Sequence, residues 1–112
     1  METTRQKKVS RLIQKELSLI LSGKFSYILN NAITSITIVR ISIDLAYANI
    51  FISVFPSKEA VENLRVINKN KIPIRKELAM RVRHQLRIIP ELQFHLDDSG
   101  DYYEEINQLL KK

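Results

Sequence analysis

Between residues 65 and 87 the chain carries eight basic side chains, Arg65, Lys69, Lys71, Arg75, Lys76, Arg81, Arg83 and Arg87, against a single acid, Glu77. That stretch is net +7, whereas the whole 112-residue chain is only +6. The surplus is balanced by an acidic end, where residues 88–112 hold six acids and two lysines. Charge gathered this way sets up a directional field suited to holding a polyanion. Arginine adds paired donors for phosphate and a flat face on which an unpaired base can stack. A merely solvated helix face mixes both signs, and this one does not.

Catalytic chemistry finds little to use. Cysteine is absent, which removes thiolate nucleophiles, disulfides and thiolate metal sites. His84 and His95 share no obvious partner. Gly23 and Gly100 are the only glycines, too few for a phosphate-binding loop or a dinucleotide fingerprint. Asp97, Asp98 and Asp101 do not have the spacing of a calcium loop and read as a turn and a helix cap. No enzyme, metal or cofactor is expected.

The elements that must carry this charge are legible in the apolar pattern. The length suits one domain with a modest core, and 45% hydrophobic residues agree with a folded chain. No apolar run approaches the ~20 residues of a membrane span, and no signal-peptide core follows Met1, so a cytoplasmic protein is expected. Val9, Leu12, Ile13, Leu17, Ile20 and Leu21 recur at helical spacing from about Arg5 to Ser22, with Thr4 as a cap and Gly23 as a stop. Two β-branched runs follow, Ile33–Ile43 and Tyr47–Phe55, joined by a short link containing Asp44. In the first the apolar phase moves from Ile36 and Ile38 to Val39, Ile41 and Ile43, which points to a bulge. Tyr47 and Phe51 share the outer face of the second run, either to stack bases or to form a small apolar patch covered by the terminal helix or by a partner.

A helix then runs from about Ser57 to Asn70. Pro73 forces a break near Lys71–Ile72 and can open a new helix at its first position. That helix, expected to reach Arg87, buries Ile74, Leu78, Val82 and Leu86. At about 100° per residue, Lys76, Arg83 and Arg87 fall within about 40° of one another, a stripe leading back through Lys71 and Lys69 to the break. A restarted helix offers free N–H groups and a positive dipole end there. Leu92, Phe94 and Leu96 mark a third strand, and a short helix is expected at about 102–110. The order α-β-β-α-α-β-α describes a single α+β domain over residues 1–112, its core at about 5–96, with helices on one face of a three-stranded sheet.

Three blocks resemble the bacterial ribosome-binding factor A family. Ile13-Gln14-Lys15-Glu16-Leu17-Ser18 is similar to its opening helix. Ile41-Ser42-Ile43-Asp44-Leu45 through Ala48 to Ser53-Val54 is similar to its hairpin. Ile74-Arg75-Lys76-Glu77-Leu78, Arg81-Val82-Arg83 and Ile89-Pro90-Glu91-Leu92-Gln93-Phe94 resemble its third block. Two features depart from the family pattern. Ser26-Tyr27-Ile28-Leu29 stands where the family often has Asp-Pro-Arg, and Asn70-Lys71-Ile72, followed by Pro73, stands where it has a glycine-containing kink.

The resemblance implies a type II KH-like fold and a non-catalytic factor. Such a factor binds the small ribosomal subunit and its ribosomal RNA, aids late maturation and processing of that RNA, and matters for growth in the cold. The residues alone mark Lys69, Lys71, Arg75, Lys76, Arg81, Arg83 and Arg87 as a nucleic-acid-binding set, which the resemblance makes RNA-binding, with Lys7, Lys8 and Arg11 as possible additions. A monomer is expected, with no membrane or small-molecule partner. The alternative is a protein–protein adaptor that docks an acidic partner on the same basic face. A DNA-binding helix-turn-helix fits less well, because a proline kink replaces the glycine-containing turn.

Overall fold

The computed structural model describes residues 3–29 and 32–97. Helix α1 spans Thr4–Ser22, strand β1 Ile33–Ile41, strand β2 Tyr47–Phe55, helix α2 Ala60–Lys69, helix α3 Lys71–Val82 and strand β3 Glu91–Leu96. β1 and β2 pair antiparallel, β2 and β3 pair parallel, and β2 is the central strand. The parallel pair is joined through α2 and α3, which cross one face of the sheet. The expected α-β-β-α-α-β order is therefore present, while the helix expected at about 102–110 lies outside the described residues.

The ends of α1 follow from local chemistry. Thr3, one residue before the expected cap, accepts from the Gln6 amide, and the Gln6 side chain accepts in return from the Thr3 N–H. Gly23 stops the helix as expected, because a Cβ there would lie 2.9 Å from the Leu19 carbonyl oxygen. Two glutamines fasten α1 to β1. Buried Gln6 donates to the Ile41 carbonyl at 2.8 Å, and Gln14 donates to that of Ile36 at 3.0 Å.

Gln14 reaches the strand at its irregularity. Ile36 faces Ile52 and Ile38 faces Phe51, so Thr37 is the extra residue of a bulge. The bulge turns Val39 and Ile41 inward after Ile36 and leaves Ile38 outside, the phase change visible in the sequence. β1 ends at Ile41 rather than Ile43, because Ser42 to Ala46 form the turn into β2. There Leu45 sits at φ 61, a left-handed conformation that costs a branched-chain residue about 1–2 kcal/mol. Its half-buried side chain packs against the core, which offsets that cost.

α1, α2 and α3 cover the sheet face that presents Ala48, Ile50 and Ile52 from β2 and Leu92 from β3, all fully buried. Ile13, Leu17 and Ile20 come from α1, Ile67 from α2, and Ile74, Leu78 and Val82 from α3, again with no exposed surface. Burying side chains of this size contributes about 1.5–3 kcal/mol each, so α3 is held chiefly by its apolar underside. That frees its upper surface for charge.

Two boundaries differ from expectation. Asn70, not Lys71–Ile72, is the break between α2 and α3. Its N–H donates to the Val66 and Ile67 carbonyls at 3.1 Å, its side-chain amide donates to Val66 at 2.8 Å, and its own carbonyl accepts from the Ile74 N–H at 3.1 Å. One residue closes α2 and opens α3. Pro73 is then third in α3, not first; any of the first four positions lacks an intrahelical partner for its N–H, so proline costs no hydrogen bond there. The other end also moves. α3 stops at Val82, five residues before Arg87, and the Gln85 and Leu86 amides both converge on the Val82 carbonyl. From there the chain must turn back to start β3 beside Tyr47.

Candidate nucleic-acid interface

The early end of α3 breaks up the expected stripe. Lys76 stays on the helix, but Arg83 occupies its cap and Arg87 lies in the return loop, so the three do not form one helical line. The seven cations of the expected set instead fall into three groups with different partners.

The first group surrounds the kink. Lys69 ends α2, Lys71 begins α3, and Lys76 follows on the exposed side of α3. None of these lysines makes a hydrogen bond or ion pair with the described residues. Beside them Ile72 is 81% exposed. Lys71, Ile72 and Arg75 form one wall of a cleft of about 220 Å³, and Glu91 and Leu92 at the start of β3 form the other. A second depression of about 350 Å³ continues it between Ile72, Arg75 and Lys76 on α3 and Ile89 in the return loop. The break at Asn70 puts this cationic corner next to a sheet edge, a shape into which a single nucleic-acid strand can lie.

The second group is committed to the fold. Arg75 donates through Nε to the Pro90 carbonyl at 3.0 Å and through a terminal nitrogen to the Ile89 carbonyl at 2.6 Å. It therefore braces the return loop, with its charge left beside the cleft. Arg81 faces α1 and pairs with Glu16 at 3.3 Å and with Glu77 at 3.6 Å. Glu77 also accepts from Lys24 at 2.9 Å. The Lys24 bond is the main reason the Glu77 carboxyl is held below its usual range, with the Arg81 charge adding to it. Arg65, at the start of the basic run, is neutralised by Glu62 one helical turn before it.

The third group lies toward the hairpin. Arg87 and Lys8 line a groove between α1, the β1–β2 turn and the return loop, and Arg5, absent from the expected set, lines it with them. Arg5 stands three positions before Lys8 on one face of α1, a spacing that could have flagged it. Lys7 and Arg11 are exposed on α1 outside that groove, and Arg83 is exposed at the end of α3 with its Nε 3.4 Å from His84. His84 thus sits in a turn, whereas it was expected on the helix. His95 lies on the outer sheet face, bonded to Asn49 at 2.9 Å and packed on the Phe51 ring with centroids 5.1 Å apart. Among the described residues no cluster of three or more acids, histidines or cysteines is placed to hold a metal, and no helix is long and apolar enough to cross a membrane.

The fold and this surface define a small α+β domain whose three-stranded sheet, backed by helices, carries unpaired cations around a kink between two helices. Residues 5–110 match the family model described as ribosome-binding factor A. The chain is 42% identical over 111 residues to the ribosome-binding factor A of Christiangramia forsetii and 43% identical to that of Flavobacterium psychrophilum. Each alignment covers 98% of this chain and 85% of the relative. The protein belongs to the ribosome-binding factor A family.

Solved structures agree on the fold. The crystal structure of ribosome-binding factor A from Thermus thermophilus superposes with a TM-score of 0.67 at 20% identity, over 81% of this chain and 94% of that one. A homology model of the Thermus thermophilus factor, fitted into a cryo-electron microscopy map of a complex with the 30S subunit, gives 0.58 at 22% identity, over 85% and 93%.

Proposed function

We propose that this protein is a non-catalytic assembly factor that binds the small ribosomal subunit through its ribosomal RNA and aids late maturation and processing of that RNA in the cytoplasm. The observation that carries the reading is the cationic corner at Asn70. Lys69, Lys71 and Lys76 make no hydrogen bond or close ion pair with the described residues, Lys71 lines the cleft and Lys76 the depression beside it, in a family whose members are named for ribosome binding and include one fitted into a 30S complex. Lysine and arginine there gain energy by displacing counterions from phosphates, so binding rather than bond-making does the work. The exposed Ile72 and the edge of β3 give a strand something to lie against once the phosphates are held. Such a factor holds immature RNA in one arrangement and leaves when the mature fold no longer offers the strand.

Cosedimentation with purified small and large subunits over a range of salt tests this. Binding to the small subunit alone is expected, with log affinity falling against log salt by about 0.7–0.9 per phosphate contact. Equal binding to both subunits, or binding that survives ribonuclease treatment and ignores salt, overturns the RNA reading and favours docking on an acidic protein.

A further inference from the structure

Away from the kink, the hairpin-side groove holds about 740 Å³ and combines three kinds of group. Its apolar lining includes Val9 and Leu12 of α1, Leu45 of the turn and Leu86 of the return loop. Arg5, Lys8 and Arg87 supply positive charge. Asp44 supplies the one acid. The volume falls within the roughly 300–1,000 Å³ of small-ligand sites, enough for a nucleotide and too confined for a duplex.

Asp44 decides what kind of anion fits. Its Oδ1 accepts from the Ser42 hydroxyl at 2.7 Å and from the Ala46 N–H at 3.1 Å, and neither of these bonds occupies Oδ2. Both bonds favour the carboxylate, the Ser42 bond more, and hold its pKa below the usual range. A fixed carboxylate among three cations leaves the groove net +2, so anions are drawn in while an acid placed beside Asp44 is repelled. It suits a ligand that brings negative charge at one point and hydrogen-bond donors at another. A nucleotide does this. Its phosphate is anionic, its base has apolar faces, and the edges of adenine, cytosine and guanine carry an exocyclic amino group. Uracil carries none.

We propose that this groove takes one unpaired, amino-bearing base of RNA, with the base on the Val9–Leu12–Leu45–Leu86 surface, its amino group donating to Asp44 Oδ2, and its phosphates against Arg5, Lys8 and Arg87. The proposal rests on the protein being an RNA binder and adds a base-reading site separate from the phosphate-binding kink.

The test follows methyl resonances of Val9, Leu12 and Leu45 during titration with pentaadenylate, pentacytidylate and pentauridylate. The first two are expected to shift these methyls at about 10-fold lower concentration than the third, the discrimination a good base-edge contact provides. Asp44→Asn keeps an Oδ1 to accept from Ser42 and Ala46, so the turn survives, and it replaces the free acceptor with a donor. This variant should lose or reverse the preference against uridine. Arg5→Ala with Lys8→Ala should weaken all three oligomers alike. Unchanged base preference in Asp44→Asn overturns the proposal, as do shifts confined to Lys69–Lys76 or equal shifts from oligoglutamate. In the second case the RNA reading of the protein still stands. If no oligomer shifts either region, both fall when cosedimentation also proves insensitive to ribonuclease.

Discussion

Both halves of α3 carry cations, three in the first and Arg81 beside Glu77 in the second, and use them in different ways. Around its first turns Lys69, Lys71 and Lys76 make no hydrogen bond or close ion pair with the described residues, and Lys69 only adds its charge to the field at Glu62. Toward its end Arg81 is shared between Glu16 and Glu77, and Glu77 is shared in turn with Lys24. The difference comes from what each half faces. The second half packs beside α1, where cations and acids of the two helices meet. The first half projects past α1 toward the edge of β3, where Glu91 is the acid of the cleft. A dense run of positive charge in a sequence therefore measures the field, and only tertiary neighbours decide which cations are free to hold a ligand.

The largest expected effect comes from deleting the free half. Lys69→Ala, Lys71→Ala and Lys76→Ala together should lower the salt slope of small-subunit binding by about 2 to 3 and the affinity at 0.1 M salt by more than about 100-fold. The thermal midpoint should hardly move, because the one interaction lost among the described residues is the charge of Lys69 on exposed Glu62. If binding is retained at that salt, the kink is not the phosphate site. If the protein unfolds instead, the two halves do not differ in the way their partners indicate.

The sequence conveyed the parts of this arrangement that local rules govern. Ile74, Leu78 and Val82 were readable as one face by their four-residue spacing, the bulge by the phase change between Ile36 and Val39, and the stop at Gly23 by residue type. The end of α3 was not readable. Arg83, His84, Gln85, Leu86 and Arg87 contain no glycine or proline, and a helix through them breaks no local rule. What ends it is the need to return to β3, which is a fact of topology. The break was misplaced by a residue for a related reason. Proline excludes an intrahelical donor but does not say which of the first turn's positions it fills. The pairing of Arg81 with Glu16 spans 65 residues and needed the packing of α3 on α1. The spacing of Arg5 to Lys8 was readable, but the hairpin and return-loop residues that complete its groove were not.

A smaller effect is expected where a cation does both jobs. Arg75 braces the return loop through two carbonyls and also lines the cleft. Arg75→Ala should cost about 1.5–3 kcal/mol of stability, the range for hydrogen bonds involving a charged group, and should weaken RNA binding beyond the loss of one phosphate contact because the Ile89 wall is released. Arg75→Lys keeps the charge but cannot donate to both carbonyls in the same fork. It should keep the salt slope and lose most of the stability. Denaturant unfolding read beside salt-dependent binding separates these. Equal stability of the two variants and the wild type would mean that the brace contributes nothing.

The committed half of α3 should respond least. Exposed ion pairs contribute about 0–1 kcal/mol, so Arg81→Ala should shift stability by less than about 1 kcal/mol and leave the salt slope of binding nearly unchanged. Its pH dependence has a definite sign. Glu77 titrates below its usual range in the folded chain because Lys24 and then Arg81 favour its ionised form. A carboxyl with a depressed folded pKa stabilises the fold above its unfolded pKa, and that contribution is lost as the pH falls through the folded value. The link between α1 and α3 should therefore be intact near neutrality and weaken only in acid, below the ordinary glutamate range. Glu77→Gln should flatten that acid limb of the thermal midpoint without altering it at pH 7 by more than the small pair energy. Among the described residues Lys71 and Lys76 have no such carboxylate partner, and Lys69 acts on Glu62 only through its charge, behind the Arg65 bond, so their replacement should move the acid limb far less than Glu77→Gln does. An acid limb that moves with the lysines instead of with Glu77 would reverse the assignment of the two halves.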